Sequence, residues 1–132
     1  MPVDARRTIS DLRELRALTA DDHGAQRIAW SPTWLKARAW FQSKLAGLPV
    51  EHHLDAAGNS WTTLQGDSER VLILGSHLDS VPNGGWLDGA LGVLAAFEVL
   101  RGLAAVSYTH LDVYKRQDET NPTRRSRRRL PA

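Results

Sequence analysis

Cysteine is absent from this 132-residue sequence. That excludes a disulfide scaffold, thiol catalysis and any thiolate-ligated zinc site, and leaves histidine and carboxylate as the ligands for a metal. Long apolar runs are lacking too: none approaches the roughly 20 residues that span a bilayer, and the N-terminus does not show the basic-then-apolar pattern of a secretory leader. The expected compartment is the cytoplasm, with no membrane partner. What is present is ordinary globular composition, 42% apolar and 24% charged, which argues for a packed core. The length allows one domain, since domains run to roughly 100–150 residues.

The formal charge of +2 is unevenly placed. Lys115, Arg116, Arg124, Arg125, Arg127, Arg128 and Arg129 lie after Ala105, against only Asp112, Asp118 and Glu119. Residues 1–105 keep ten basic and twelve acidic side chains, so the body is mildly acidic and only the tail is basic.

From Thr8 to Leu18 the apolar residues Ile9, Leu12, Leu15 and Leu18 recur at three-residue steps, which predicts an amphipathic helix with those four on its buried face. Ser31 with Pro32 reads as an N-cap and first-turn proline. A second helix should follow to about Ala46, with Trp34, Ala37, Trp40, Phe41, Lys44 and Leu45 on one face and Gly47 and Pro49 ending it. Val50–Leu54 and Trp61–Leu64 flank Asp55-Ala56-Ala57-Gly58-Asn59 as strand, turn and strand. Val71, Leu72, Ile73 and Leu74 form a continuous apolar run, as in a strand buried on both faces. From Asp88 the period turns helical through Leu91, Leu94, Ala95, Val99 and Leu103. Strand, polar loop and helix make half of a βαβ unit, and such loops lie where open α/β sheets place their ligands.

The informative stretch is that loop, Gly75-Ser76-His77-Leu78-Asp79-Ser80-Val81-Pro82-Asn83-Gly84-Gly85-Trp86-Leu87-Asp88-Gly89. Imidazole and carboxylate suit Zn²⁺ or Mn²⁺, and a second carboxylate can take the other ring N–H and fix the tautomer. His77 with Asp79 fits that pairing. Asp88, at a helix start, could offer two oxygens to bridge two ions while the helix N-terminus offsets its charge. Taken singly, His77 reads more readily as a solvated or core histidine and Asp88 as an N-cap.

The run from Gly75 to Gly89, with Leu91-Gly92-Val93-Leu94 after it, resembles the first metal-binding motif of dinuclear metallo-amidohydrolases related to aminoacylases and zinc carboxypeptidases. It is most similar to the N-carbamoyl-L-amino-acid hydrolases and allantoate amidohydrolases. Arg27-Ile28-Ala29-Trp30-Ser31 and Asp55-Ala56-Ala57-Gly58-Asn59 are typical of that group too, and the similarity covers roughly residues 9–104. The resemblance implies an α/β fold, the N-terminal part of a three-layer α/β/α catalytic domain. It implies that His77 ligates one of two divalent ions, zinc or manganese, that Asp88 bridges both, and that Asp79 assists catalysis by orienting His77. The implied reaction is hydrolysis of the C–N bond of an N-carbamoyl-L-amino acid, allantoate or a related ureido compound, by a homodimeric parent enzyme. Substrate contacts are not identified. An aminoacylase-like or peptidase-like substrate is the alternative within the superfamily, and a small basic nucleic-acid-binding protein using the arginine tail is the alternative outside it.

The acidic pair and later histidines that complete the family's site are not found. Asp118-Glu119 is the one acidic pair after the last predicted helix, and Thr120 stands where the resemblance calls for a metal-binding Glu. Without them the chain is expected to be inactive, with weak metal binding at most. The Val71–Leu74 strand, lacking later neighbours, predicts poor solubility.

Residues 106–117 break the family pattern. They back-translate into DNA that is nearly its own reverse complement, resembling two inverted copies of a transposase mosaic end, the adaptor used in sequencing libraries. A β-hairpin with alternating Val and Tyr is the alternative reading. Residues 1–105 are thus expected to be amidohydrolase, 106–117 an adaptor junction and 118–132 a non-native or disordered tail with no nucleic-acid partner. His110 is then not a ligand. Sequencing the genomic locus outward from the codons for residues 60–100 checks this. The expected frame runs past Ala105 into a strand and an acidic pair, whereas a genome encoding Val106 to Gln117 as written refutes the junction.

Overall fold

A computed structural model of the chain describes the backbone of residues 3–120 and the side chains of residues 3–106. The basic stretch Arg124–Arg129 lies outside the described residues, as do the side chains of His110, Asp118 and Glu119.

Helix α1 spans Ala5–Thr19. Asp4 caps it, its carboxylate accepting the N–H groups of Arg6 at 2.9 Å and Arg7 at 3.3 Å, which satisfies donors that the first turn leaves orphaned. The buried face is Thr8, Asp11, Leu12, Leu15 and Thr19. Ile9 and Leu18, expected inside, are exposed. Steps of three fall short of a 3.6-residue turn and drift around the helix, whereas 8, 11, 12, 15 and 19 follow it. The strands β1 (Ala20–Asp21) and β2 (Gly24–Ala25) form a minimal antiparallel hairpin.

Helix α2, Pro32–Lys44, begins as predicted: Ser31 Oγ accepts the Trp34 N–H at 3.2 Å and Pro32 occupies the first turn. It ends two residues before the predicted Ala46. Strands β3 (Glu51–Leu54) and β4 (Ser60–Thr63) pair antiparallel in the register Glu51 to Thr63 and Leu54 to Ser60. The Asp55 carboxylate closes their turn, accepting N–H groups of Trp61, Asn59 and Ala57, and these bonds hold its pKa down at about 2.

Two expectations need correction. Val71–Leu74 is not a buried strand: the segment is irregular and the four side chains are 81, 75, 68 and 50% exposed. A continuous apolar strand needs hydrogen-bonding neighbours on both edges, and among the described residues none pairs with it. Helix α3 runs Ala90–Thr120, two residues later than the predicted Asp88 start, and its backbone is helical through residues 106–117, where the alternative reading placed a β-hairpin. Its buried face carries Ala90, Leu94, Phe97, Glu98 and Ala104, while Leu91 and Leu103, placed inside by the sequence pattern, are exposed. The face is set by what α1 offers it.

The core joins Leu12 and Leu15 of α1, Ala37 of α2, Leu45, and Ala90, Leu94 and Phe97 of α3. Phe41 meets Phe97 edge-on at 5.3 Å between centroids. Beside it runs a charged seam. Glu98, its side chain wholly buried, accepts from Arg7 Nε at 2.8 Å and Nη2 at 2.5 Å and from the Asp4 N–H at 2.9 Å. Arg101 pairs with Asp11 at 2.5 Å, and Lys44 bridges Asp11 at 3.2 Å and Glu14 at 2.5 Å, so one network ties α3 to α1 and α1 to α2. This α/β arrangement contains no helix long and apolar enough to cross a membrane among the described residues.

The hydrogen bonds from Arg7 hold the Glu98 carboxyl below its ordinary pKa of 4.5. A depressed folded pKa stabilises the fold fully above the unfolded value, and that contribution is lost as pH falls through the folded one. Glu98→Gln should therefore lower stability at pH 7 by about 1.5–3 kcal/mol, the range for hydrogen bonds to charged groups. It should also flatten the loss of stability below about pH 4.5. Urea unfolding of both proteins across pH 3–7 checks both effects.

Candidate metal centre

The segment from Gly75 to Gly89 has almost no regular structure, so its shape comes from anchors. Ala25 and Gly84 form an isolated antiparallel bridge, the Ala25 N–H donating to Gly84 O at 2.9 Å and the Gly84 N–H to Ala25 O at 3.2 Å. The Ser80 N–H donates to Arg27 O at 2.8 Å, and the Arg27 N–H returns a bond to Ser80 Oγ at 3.0 Å. Gln26 Nε2 donates to Asn83 Oδ1 at 2.7 Å. Asn83 has a φ of 56°, a conformation that asparagine tolerates better than most residues. Leu78 and Trp86 pack their side chains on the helical core.

Under the loop lies Arg27, wholly buried. Its Nε donates to Leu78 O at 2.7 Å, Nη2 to Trp86 O at 3.4 Å and Nη1 to Thr19 Oγ1 at 3.4 Å. Burial pushes its pKa down, and the nearby charges of Asp79 and Asp88 oppose that shift. Guanidinium remains charged in proteins, so a fixed cation sits beneath the two carboxylates.

His77, Asp79 and Asp88 come together on the open side of the loop. His77 Nδ1 lies 3.2 Å from Asp79 Oδ1 and 3.2 Å from the Asp79 carbonyl oxygen. Two oxygens at one ring nitrogen select the tautomer with the proton on Nδ1. The lone pair is then on Nε2, which faces Asp88 Oδ1 at 3.9 Å. That gap is wider than a hydrogen bond and a few tenths of an ångström wider than the roughly 3.3–3.6 Å between two donors of a tetrahedral cation with bonds of about 2.0–2.2 Å. The side chains are 45–65% exposed, so a cation could enter from solvent.

Two glycines let the parts approach. At Gly89, φ +66°, an added Cβ would lie 2.5 Å from His77 Nδ1 and Cε1 and would clash with the His77 carbonyl oxygen. At Gly92, in the first turn of α3, a Cβ would meet Ser76 Cβ at 2.7 Å. The helix start is thus pressed against His77 and the serine before it. Among the described residues, no three His, Asp or Glu side chains converge as a set that could hold a metal. His77 and Asp88 offer two donors, and Asp79 is engaged with the far side of the imidazole.

Comparison with known proteins bears on this geometry. Residues 59–123, which include the loop, match Peptidase family M28. Allantoate amidohydrolase of Escherichia coli (strain K12) is 40% identical over 76 residues, 56% of this chain and 18% of that protein. N-carbamoyl-L-amino-acid amidohydrolase of Paenarthrobacter aurescens is 31% identical over 108 residues, 80% of this chain and 26% of that protein. The crystal structure of an amidase of the hydantoinase/carbamoylase family from Burkholderia phymatum superposes with a TM-score of 0.67 at 33% identity, covering 83% of this chain and 27% of that one.

This chain is homologous to the allantoate and N-carbamoyl-L-amino-acid amidohydrolases. It spans between 18 and 26% of the length of the first curated amidohydrolases it matches.

The three loop residues singled out in the sequence are brought together. Arg27 was visible only as one letter of a family-like segment, and its burial beneath the loop was not. A lone arginine between Gln26 and Ile28 carries no periodic signal that would turn it inward. Gly89 and Gly92 read from sequence as turn or helix residues, although each marks a close approach.

Replacing Gly89 with alanine tests that approach. The left-handed φ and the contact with the imidazole should together lower stability by about 1–3 kcal/mol and displace the ring. Thermal unfolding and the His77 imidazole NMR signals check the two effects, and an unmoved ring would contradict the packing.

Proposed function

We propose that this chain carries the first metal-binding loop of a metal-dependent amidohydrolase cleaving the C–N bond of an N-carbamoyl-L-amino acid, allantoate or a related ureido compound. The observation that supports it most directly is the His77 imidazole, braced on Nδ1 by Asp79 and turned with Nε2 toward Asp88. Neutral imidazole and carboxylate are the donors that zinc and manganese accept from a chain without thiols. The residues therefore fit a divalent cation, with His77 Nε2 and Asp88 as ligands and Asp88 free to bridge a second ion. A cation there supplies Lewis acidity, polarising the substrate carbonyl and making water a stronger acid. Asp79 keeps the proton on Nδ1 and so keeps the Nε2 lone pair available.

The described residues provide two donors, and we expect no turnover from this chain by itself. In the whole enzyme the substrate is a small ureido or amide compound, the protein is cytoplasmic and the active form is a homodimer. A peptide or N-acyl amino acid substrate is the second reading, favoured by the match to Peptidase family M28 over residues 59–123.

Two measurements test the proposal. Mn²⁺ titration of the chain, followed by the loss of the free-ion electron spin resonance signal, should show weak binding. That binding should disappear in His77→Ala and Asp88→Ala and weaken about 10–100-fold in Asp79→Asn. Replacing the matching segment of the Escherichia coli allantoate amidohydrolase with residues 59–104 should preserve metal-dependent allantoate hydrolysis and lose it on His77→Ala. Equal Mn²⁺ binding by the chain and its His77→Ala variant would refute the site.

A further inference from the structure

Among the described residues, Arg27 is the one wholly buried cation beneath the loop, and its hydrogen bonds there do not go to a carboxylate. Its fork grips two carbonyls on opposite arms: Leu78 O, between His77 and Asp79, at 2.7 Å, and Trp86 O, two residues before Asp88, at 3.4 Å. Its own backbone pairs with Ser80 on both sides, N–H to Oγ at 3.0 Å and O to N–H at 2.8 Å. The far end of the guanidinium reaches Thr19 Oγ1 at 3.4 Å, and that hydroxyl is itself tied to Leu15 O at 2.6 Å in the last turns of α1. A chain of contacts therefore runs from the helical core through Arg27 to both sides of the His77–Asp88 gap.

We propose that Arg27 is a positioning residue that assembles the two arms of the loop before any cation arrives and keeps the imidazole proton on Nδ1. The inference rests on the functional reading above for its purpose, though the bracing itself concerns the metal-free chain. Planar guanidinium suits the task, because its N–H groups diverge in one rigid plane and can hold two carbonyls at a set spacing. Its charge also offsets the repulsion between Asp79 and Asp88, which would otherwise push the arms apart while no cation lies between them. A purely structural role, such as filling volume, would need neither the fork nor the charge.

Lysine keeps the charge but cannot grip both carbonyls. Arg27→Lys should retain its helical circular dichroism. In the metal-free protein, nitrogen-15 NMR above the imidazole titration should show the unsubstituted chain with the proton on Nδ1 and Arg27→Lys with a mixture of both tautomers. Its Mn²⁺ affinity should fall about tenfold, as when groups supporting a metal ligand are removed. A wild-type tautomer and wild-type Mn²⁺ affinity in a folded Arg27→Lys protein would overturn the proposal. Should Arg27→Lys fail to fold, Arg27→Met, which keeps an unbranched buried side chain and removes both the fork and the charge, carries the same two readouts, and no change in either would overturn it. The two readings separate cleanly. Equal Mn²⁺ binding by His77→Ala and the unsubstituted chain sinks the metal centre alone, while the tautomer of the metal-free chain still decides the role of Arg27.

Discussion

A guanidinium taken out of water has to be surrounded by acceptors, because an unsatisfied buried charge costs several kcal/mol. In this chain the acceptors come from places far apart in sequence: Thr19 at the end of α1, and Leu78 and Trp86 on the two arms of the loop. Satisfying Arg27 therefore forces residues 75–89 to lie across residues 24–27, and the remaining anchors follow. Ala25 bridges Gly84, Ser80 bonds Arg27, and Gln26 bonds Asn83. The loop has little secondary structure, yet the positions of His77, Asp79 and Asp88 are determined by one desolvated side chain and the contacts that it imposes.

The three helices give that arrangement something to push against. Their interface mixes a small apolar core with a seam of ion pairs, in which Glu98 is buried by Arg7 and the N-terminus of α1, and Asp11 is shared by Arg101 and Lys44. Charges at helix contacts specify rotation more sharply than methyl groups do, because an unpaired partner is costly. This explains why α1 and α3 turn Asp11 and Glu98 inward and leave Ile9, Leu91 and Leu103 outside. Apolar surface is left uncovered on these helix faces and along Val71–Leu74.

Local signals read well where the physics is local. The Ser31-Pro32 cap, the Asp55–Asn59 turn between two strands and the glycine-rich loop before a helix each depend on a few adjacent residues, and each is found where the pattern puts it. The helix faces read less well. Apolar spacing points to one stripe, while the buried stripe is chosen by the pairing of Arg7 with Glu98 and of Arg101 with Asp11, over separations of 91 and 90 residues. Val71–Leu74 misled for a related reason. An apolar run states that a segment would be buried in a sheet, not that the sheet is there.

By itself the sequence determined the chemistry available: no thiol, one histidine and two carboxylates in a glycine-rich loop, and a helix beginning just beyond them. Those are properties of residue type and short-range spacing. Only the tertiary structure decided that His77 would present Nε2 rather than Nδ1, that Asp88 would lie 3.9 Å from it, and that an arginine some fifty residues upstream would brace both. Such decisions depend on which groups share a desolvated space after the chain has closed on itself, and desolvation is a property of the folded whole.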